Sequence, residues 1–241
     1  MGQFFAGLEY TGGEFVLFGT AHLLALGGVV LFNLALLTLK RQPLEQRMRI
    51  RKTIAVIVVL NEIGWHIWNA ATGQWTVQTM LPLHLCSVLV YLSAYVLFTS
   101  AYSGYEILYF LGIGGALQAL ITPDLGIYGF PHFRFWQTFI SHGIIVSVGV
   151  YFTLVEGLRP TFGSIQRVFV RANIYLLLVT IFNFVIGGNY LFTAHKPYTP
   201  SVLDLPPDWP WYILWMEGIG ILTCLLLYLP FAVRDWRAKH A

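Results

Sequence analysis

The sequence predicts an all-α, polytopic membrane protein of seven transmembrane helices, with its amino terminus outside and its carboxyl terminus in the cytoplasm. Three observations lead there. The 241-residue chain is 57% apolar and only 10% charged, a composition outside the range of ordinary soluble domains. Seven apolar stretches approach the roughly 20 residues that a helical crossing needs. Twelve of the 14 Lys and Arg residues fall on one side of the resulting frame.

The stretches are residues 16–39, 50–69, 82–101, 105–122, 137–156, 168–190 and 210–232. They leave only short loops, so residues 1–241 read as a single transmembrane domain. The connection after the first stretch carries Lys40, Arg41, Arg47, Arg49, Arg51 and Lys52. Arg159, Arg167 and Arg171 share that side, as do Arg234, Arg237 and Lys239; only Arg134 and Lys196 lie opposite. Lys/Arg-rich loops stay cytoplasmic, and an odd number of crossings then places the amino terminus outside. Contact of the basic loops with anionic lipid accounts for the net charge of +3, and no nucleic-acid partner is needed.

Ionisable side chains inside a bilayer are costly and mark candidate sites. The second stretch ends with Asn61, Glu62, His66 and Asn69, and Glu62, His66 and Asn69 share one helical face. Glu62 and His66 read either as an i,i+4 pair joining helices or as part of a site. His84 and Cys86 open the third stretch, Gln118 closes the fourth, and Ser141 and His142 enter the fifth. Asn183, Asn189 and Tyr190 end the sixth, and Glu217 lies two turns into the seventh. These positions predict an outward-facing cavity in the outer half of the bilayer. His22 is expected to bond a neighbouring helix, and Cys224 to pack among leucines. Gly112, Gly114 and Gly115 form a small-residue surface for close helix approach.

Pro82 suits a first helical position, so the third helix is expected to start near Leu81 and to carry Cys86 in its second turn. His84, two residues away, points elsewhere on a helix. His142 lies at a similar depth on another segment. A thiol beside an imidazole is the working unit of covalent acyl transfer, although a lone membrane cysteine is more often simple packing.

The ordered set Leu81-Pro82-Leu83-His84-Leu85-Cys86-Ser87, His142, Gly188-Asn189-Tyr190-Leu191, Lys196-Pro197, Pro200-Ser201-Val202-Leu203-Asp204 and Trp209-Pro210-Trp211-Tyr212 resembles the YwaF-like family of bacterial integral membrane proteins. That family is related to a eukaryotic transmembrane acyltransferase family acting on ether phospholipids. The resemblance runs from about the second stretch to the seventh. It implies a cysteine nucleophile at Cys86, a histidine at His142 and a place in the bacterial cytoplasmic membrane.

The expected function is transfer of a fatty acyl group between a glycerophospholipid and a lysophospholipid through a Cys86 thioester, with no cofactor. Asn189, Gln118 or His84 are expected to donate to the developing oxyanion, and Glu62 and Glu217 to orient His66, His84 or His142. Lys196 and Arg134 are expected to hold a lipid phosphate, with Tyr190 among the supporting residues. Two rival readings remain open. One is a zinc-dependent lipid hydrolase using His66, His84, His142 and Glu62. The other is a receptor or carrier whose outer cavity binds a small ligand.

Overall fold

A computed structural model describes residues 2–197 and 204–240, all helix, turn and loop, with no strand among them. Each predicted apolar stretch forms a helix. The helices are α1 (Thr20–Leu37), α2 (Leu44–Ala71), α3 (Leu85–Thr99), α4 (Tyr102–Ile121), α5 (Phe133–Leu154), α6 (Phe162–Ile186) and α7 (Trp211–His240). Six are long and apolar enough to cross a membrane. The exception is α3, whose 15 residues span about 22 Å. The chain divides into two compact units, residues 1–75 with 86–158, and residues 76–85 with 159–241.

In the first unit α5 is the most buried helix, packed by α1, α2 and α4. Its polar positions serve its neighbours. Asn33 on α1 donates to Ser147 (2.9 Å), and Asn61 on α2 donates to Ser141 (2.7 Å) and to the Gln137 carbonyl (3.0 Å). Such bonds hold helices together where water is excluded. Close approach is built in by glycine: a Cβ on Gly149 would stand 2.9 Å from the Ile113 side chain and 3.2 Å from the Leu108 carbonyl. A π-helical turn, Leu108–Gly112, interrupts α4 at that contact.

The helix boundaries depart from expectation in two places. The second helix begins at Leu44, just after Pro43, so Arg47, Arg49, Arg51 and Lys52 lie on α2 and not in a loop. Arg51 is only 2% exposed. The third helix begins at Leu85, four residues later than Pro82 suggests. The backbone before it is claimed by side chains of the second unit. The Leu81 N–H donates to the Tyr190 hydroxyl (2.7 Å), and Tyr175 donates to the Leu83 carbonyl (2.8 Å). Cys86 is therefore in the first turn of α3, not the second.

The segment before α1 folds over the first unit. Trp68 donates to the Phe5 carbonyl (3.0 Å), the Phe15 N–H to the Gly126 carbonyl, and the Gly129 N–H to the Gly13 carbonyl. Two fully buried histidines bolt it down. His22 bonds the Leu120 carbonyl through Nε2 and accepts the Phe18 N–H at Nδ1, which agrees with the helix-bonding role expected of it. His132, the N-cap of α5, bonds the Ala6 carbonyl through Nε2 and accepts the Arg134 N–H at Nδ1.

His132 is ringed by Tyr10, Tyr128 and Trp68. Burial holds it below the ordinary imidazole range, the bond to Ala6 opposes this, and the Arg134 charge adds to the lowering. A native value below the unfolded one means that the folded state binds the proton less readily. Its contribution is therefore complete above about pH 6.5 and declines as the pH falls below that value. Thermal midpoints of the purified protein are expected to fall from pH 7 to pH 5. A His132→Gln variant is expected to melt lower at pH 7 and to show a shallower slope.

In the second unit, Thr161 and Ser164 form a capping box at the start of α6, and Gly187 ends it in a left-handed conformation (φ +67°). Asn183 then organises the next turn, donating to the Tyr190 carbonyl (2.8 Å) and to Thr193 (2.9 Å) and accepting the Tyr190 N–H (2.9 Å). Arg159 pairs with Asp235 near the end of α7 (2.6 Å).

Candidate functional site

The chemistry of the first unit gathers along α2, the start of α3 and the first half of α5. Cys86 is a half-buried free thiol. The first four N–H groups of a helix have no intrahelical acceptor, and the positive end of its dipole is strongest there. The amides around Cys86 are consequently available to a developing oxyanion, a role sequence reasoning had given to side chains. The Pro82 signal hid this by suggesting an earlier helix start.

Glu62, on α2, is 3% exposed, and its Oε1 has no hydrogen-bond partner. Ser87 approaches its carboxylate, and Glu62 acts electrostatically on Cys86. His66, one turn further along α2, places Nε2 3.9 Å from Glu62 Oε1. The Trp75 indole N–H donates to His66 Nδ1 (3.2 Å). An indole N–H only donates, so Nδ1 is the bare nitrogen and Nε2 carries the hydrogen.

On α5, His142 Nδ1 is 2.8 Å from the Thr138 carbonyl. A carbonyl only accepts, so Nδ1–H is the donor and Nε2 holds the lone pair, the form that a general base requires. No hydrogen bond joins His142 to Cys86. Arg134 is stacked over the Trp65 ring (4.1 Å) and hydrogen-bonded to Gln137. Its charge reaches both Glu62 and His142.

The other expected residues have separate occupations. Gln118 is exposed on α4, so its side chain is no buried oxyanion donor. In the second unit, Asn189 spends both ends of its amide closing its own loop, to His195 and to the amides of Ala194 and His195. Tyr190 ties down residues 77–81, donating to the Val77 carbonyl (2.6 Å) and accepting the Leu81 N–H. Lys196 donates to the Pro206 carbonyl (2.9 Å) and pairs with Asp208 (3.1 Å). Glu217 accepts a hydrogen bond from Asn173 across α6 and α7 (3.0 Å). His84 meets the rings of Tyr190 and Phe192. Pro200–Leu203 of the family-like motif lie outside the described residues.

No three His, Cys, Asp or Glu side chains among the described residues form a group able to hold a metal ion. Of the expected zinc set, Glu62 and His66 are neighbours, while the hydrogen bond of His142 runs to its own helix. A groove of about 810 Å³ opens in the first unit, lined by Leu24, Gly28 and Phe32 of α1 and by Phe135, Phe139 and Gly143 of α5. Its walls are almost wholly apolar, and neither Cys86 nor His142 lines it.

Among the described residues, six apolar helices of crossing length define a multi-pass integral membrane protein. The chain belongs to the TMEM164 family, whose pattern it matches over residues 17–228. No curated protein and no solved structure matches it.

Proposed function

We propose that this protein is a membrane-embedded acyltransferase that moves a fatty acyl group from a glycerophospholipid to a lysophospholipid through a thioester on Cys86. Within its family we assign it to the YwaF-like bacterial branch, in the cytoplasmic membrane. Seven spans, with α3 as the short one, put the amino terminus and the Cys86 end of α3 outside and the carboxyl terminus in the cytoplasm.

The observation that carries this reading is the position of Cys86 in the first turn of α3, in the same unit as a His142 held with Nε2 bare. His142 Nε2 takes the thiol proton, and Sγ attacks the donor ester carbonyl. The first-turn amides of α3 receive the oxyanion, usually the largest electrostatic contribution to such a step. The ester C–O bond breaks, the departing glycerol oxygen takes the proton from His142, and an acyl-Cys86 thioester remains. Hydrogen bonds between catalytic groups often tighten only when substrate binds, which suits a Cys86 and a His142 that are not bonded here.

Purified protein given phospholipid with a labelled acyl chain is expected to form a hydroxylamine-sensitive adduct. Cys86→Ala is expected to form neither adduct nor product. Retention of both by that variant excludes the mechanism.

A further inference from the structure

The Glu62–His66 pair has a geometry that Cys86 and His142 do not require. Glu62 Oε1 is a buried acceptor without a hydrogen-bond partner. His66 Nε2, made a donor by the Trp75 indole on the opposite nitrogen, faces it at 3.9 Å. That spacing is too long for a direct hydrogen bond, and a single oxygen about 2.8 Å from each atom spans it. The bridging group must accept from His66 and donate to Glu62, which describes a hydroxyl. The His66 side chain is 23% exposed, so the pair is open to a ligand. Glu62 also lies beside Ser87, the residue after Cys86, and within electrostatic range of the thiol. Arg134, in electrostatic range of Glu62 and fixed over Trp65, supplies a cation for a phosphate on the same ligand.

We propose that Glu62 and His66 form the acceptor half-site, in which the free hydroxyl of a lysophospholipid is bound and deprotonated for attack on the acyl-Cys86 thioester. This rests on the acyltransferase reading and divides its labour. His142 serves the sulfur, and Glu62 serves the incoming alcohol. His66 Nε2–H donates to the hydroxyl oxygen, and the hydroxyl proton passes to Glu62 Oε1. The oxygen bonds to the thioester carbonyl carbon and the C–S bond breaks. The proton on Glu62 then returns to the Cys86 thiolate, which restores the starting state. Trp75 is a positioning residue, since it acts only through the His66 tautomer.

The test separates the two half-reactions on the full chain in detergent. Protein is acylated with labelled phospholipid, and adduct decay is followed on adding lysophospholipid. With Glu62→Gln, which keeps the shape but cannot take the proton, adduct is expected to accumulate while its discharge slows about 100-fold. Hydroxylamine, which needs no general base, is expected to strip that adduct as fast as it strips the wild-type one. His66→Leu is expected to raise the lysophospholipid KM about tenfold, the effect of one lost hydrogen bond. Discharge of the Glu62→Gln adduct at the wild-type rate overturns the proposal. So does slowed discharge to water with unchanged discharge to lysophospholipid. If Glu62→Gln does not fold, Glu62→Leu, which likewise cannot take the proton, carries the same comparison. Absence of any adduct on the wild-type protein instead sinks the acyltransferase reading itself, a result distinct from normal acylation with Glu62-independent discharge.

Discussion

Replacing His142 by glutamine is expected to lower the rate of Cys86 acylation by about 1,000-fold, within the range that a positioned general base contributes. Glutamine fills a similar volume and still donates a hydrogen bond toward the Thr138 carbonyl, which His142 now occupies at 2.8 Å. It has no lone-pair nitrogen to take the thiol proton. Without an internal base the reaction depends on thiol ionised by the solvent, so the variant's acylation rate is expected to climb with pH more steeply than that of the wild type. The thioester, once formed, is expected to discharge at close to the wild-type rate, because the alcohol proton goes to Glu62. Single-turnover acylation measured from pH 6 to 9 checks this. A His142→Gln protein that acylates at the wild-type rate at neutral pH would remove His142 from the mechanism.

Hydropathy made the helices legible and left the azimuth of each side chain unread. All seven stretches became helices because a crossing of about 20 apolar residues leaves few alternatives. The placement of Glu62 and His66 on α2, of Cys86 on α3 and of His142 on α5 was legible for the same reason. Which way a residue points was not. Gln118 shares the expected depth and yet faces outward from α4. Asn189, Tyr190 and Lys196 are candidate site residues by sequence, but each is engaged by backbone or by Asp208 at separations of six to 113 residues. Nothing local in the sequence announces such partners. Pro82 carried a real local preference that was overridden by the tyrosine hydroxyls bonded at Leu81 and Leu83. The amino-terminal cover was unreadable because its bonds run to positions more than 60 residues away, as from Trp68 to Phe5 and from His132 to Ala6.

The largest stability effect is expected at the opposite end of α3 from Cys86. Arg51 donates through Nε to the Leu97 carbonyl (2.9 Å) and through Nη2 to the Val96 carbonyl (3.3 Å) and the Ser100 hydroxyl (2.6 Å). The Leu97 carbonyl is one of the final carbonyls of α3, which a helix leaves without intrahelical partners at the negative end of its dipole, while the Val96 carbonyl also accepts the Ser100 N–H (2.8 Å). The guanidinium also sits over Phe152 (4.8 Å) and lies 3.8 Å from Glu156, itself bonded by Arg47 (3.2 Å) and Tyr151 (2.7 Å). One side chain of α2 thus binds the end of α3 to the end of α5. Methionine keeps the length and loses every donor, removing the side-chain bonds to Leu97, Val96 and Ser100. Arg51→Met is therefore expected to destabilise the protein by about 3 kcal/mol, lowering its melting temperature by about 6–12 °C. Arg51→Lys keeps the charge but not the fork and is expected to fall between. Because the clasp fixes α3 about 17 Å along its axis from Cys86, the fraction of Arg51→Met that remains folded should still acylate. Melting in detergent, with adduct formation measured below the transition, separates the two effects. A midpoint within about 2 °C of the wild type would mean that the clasp holds nothing.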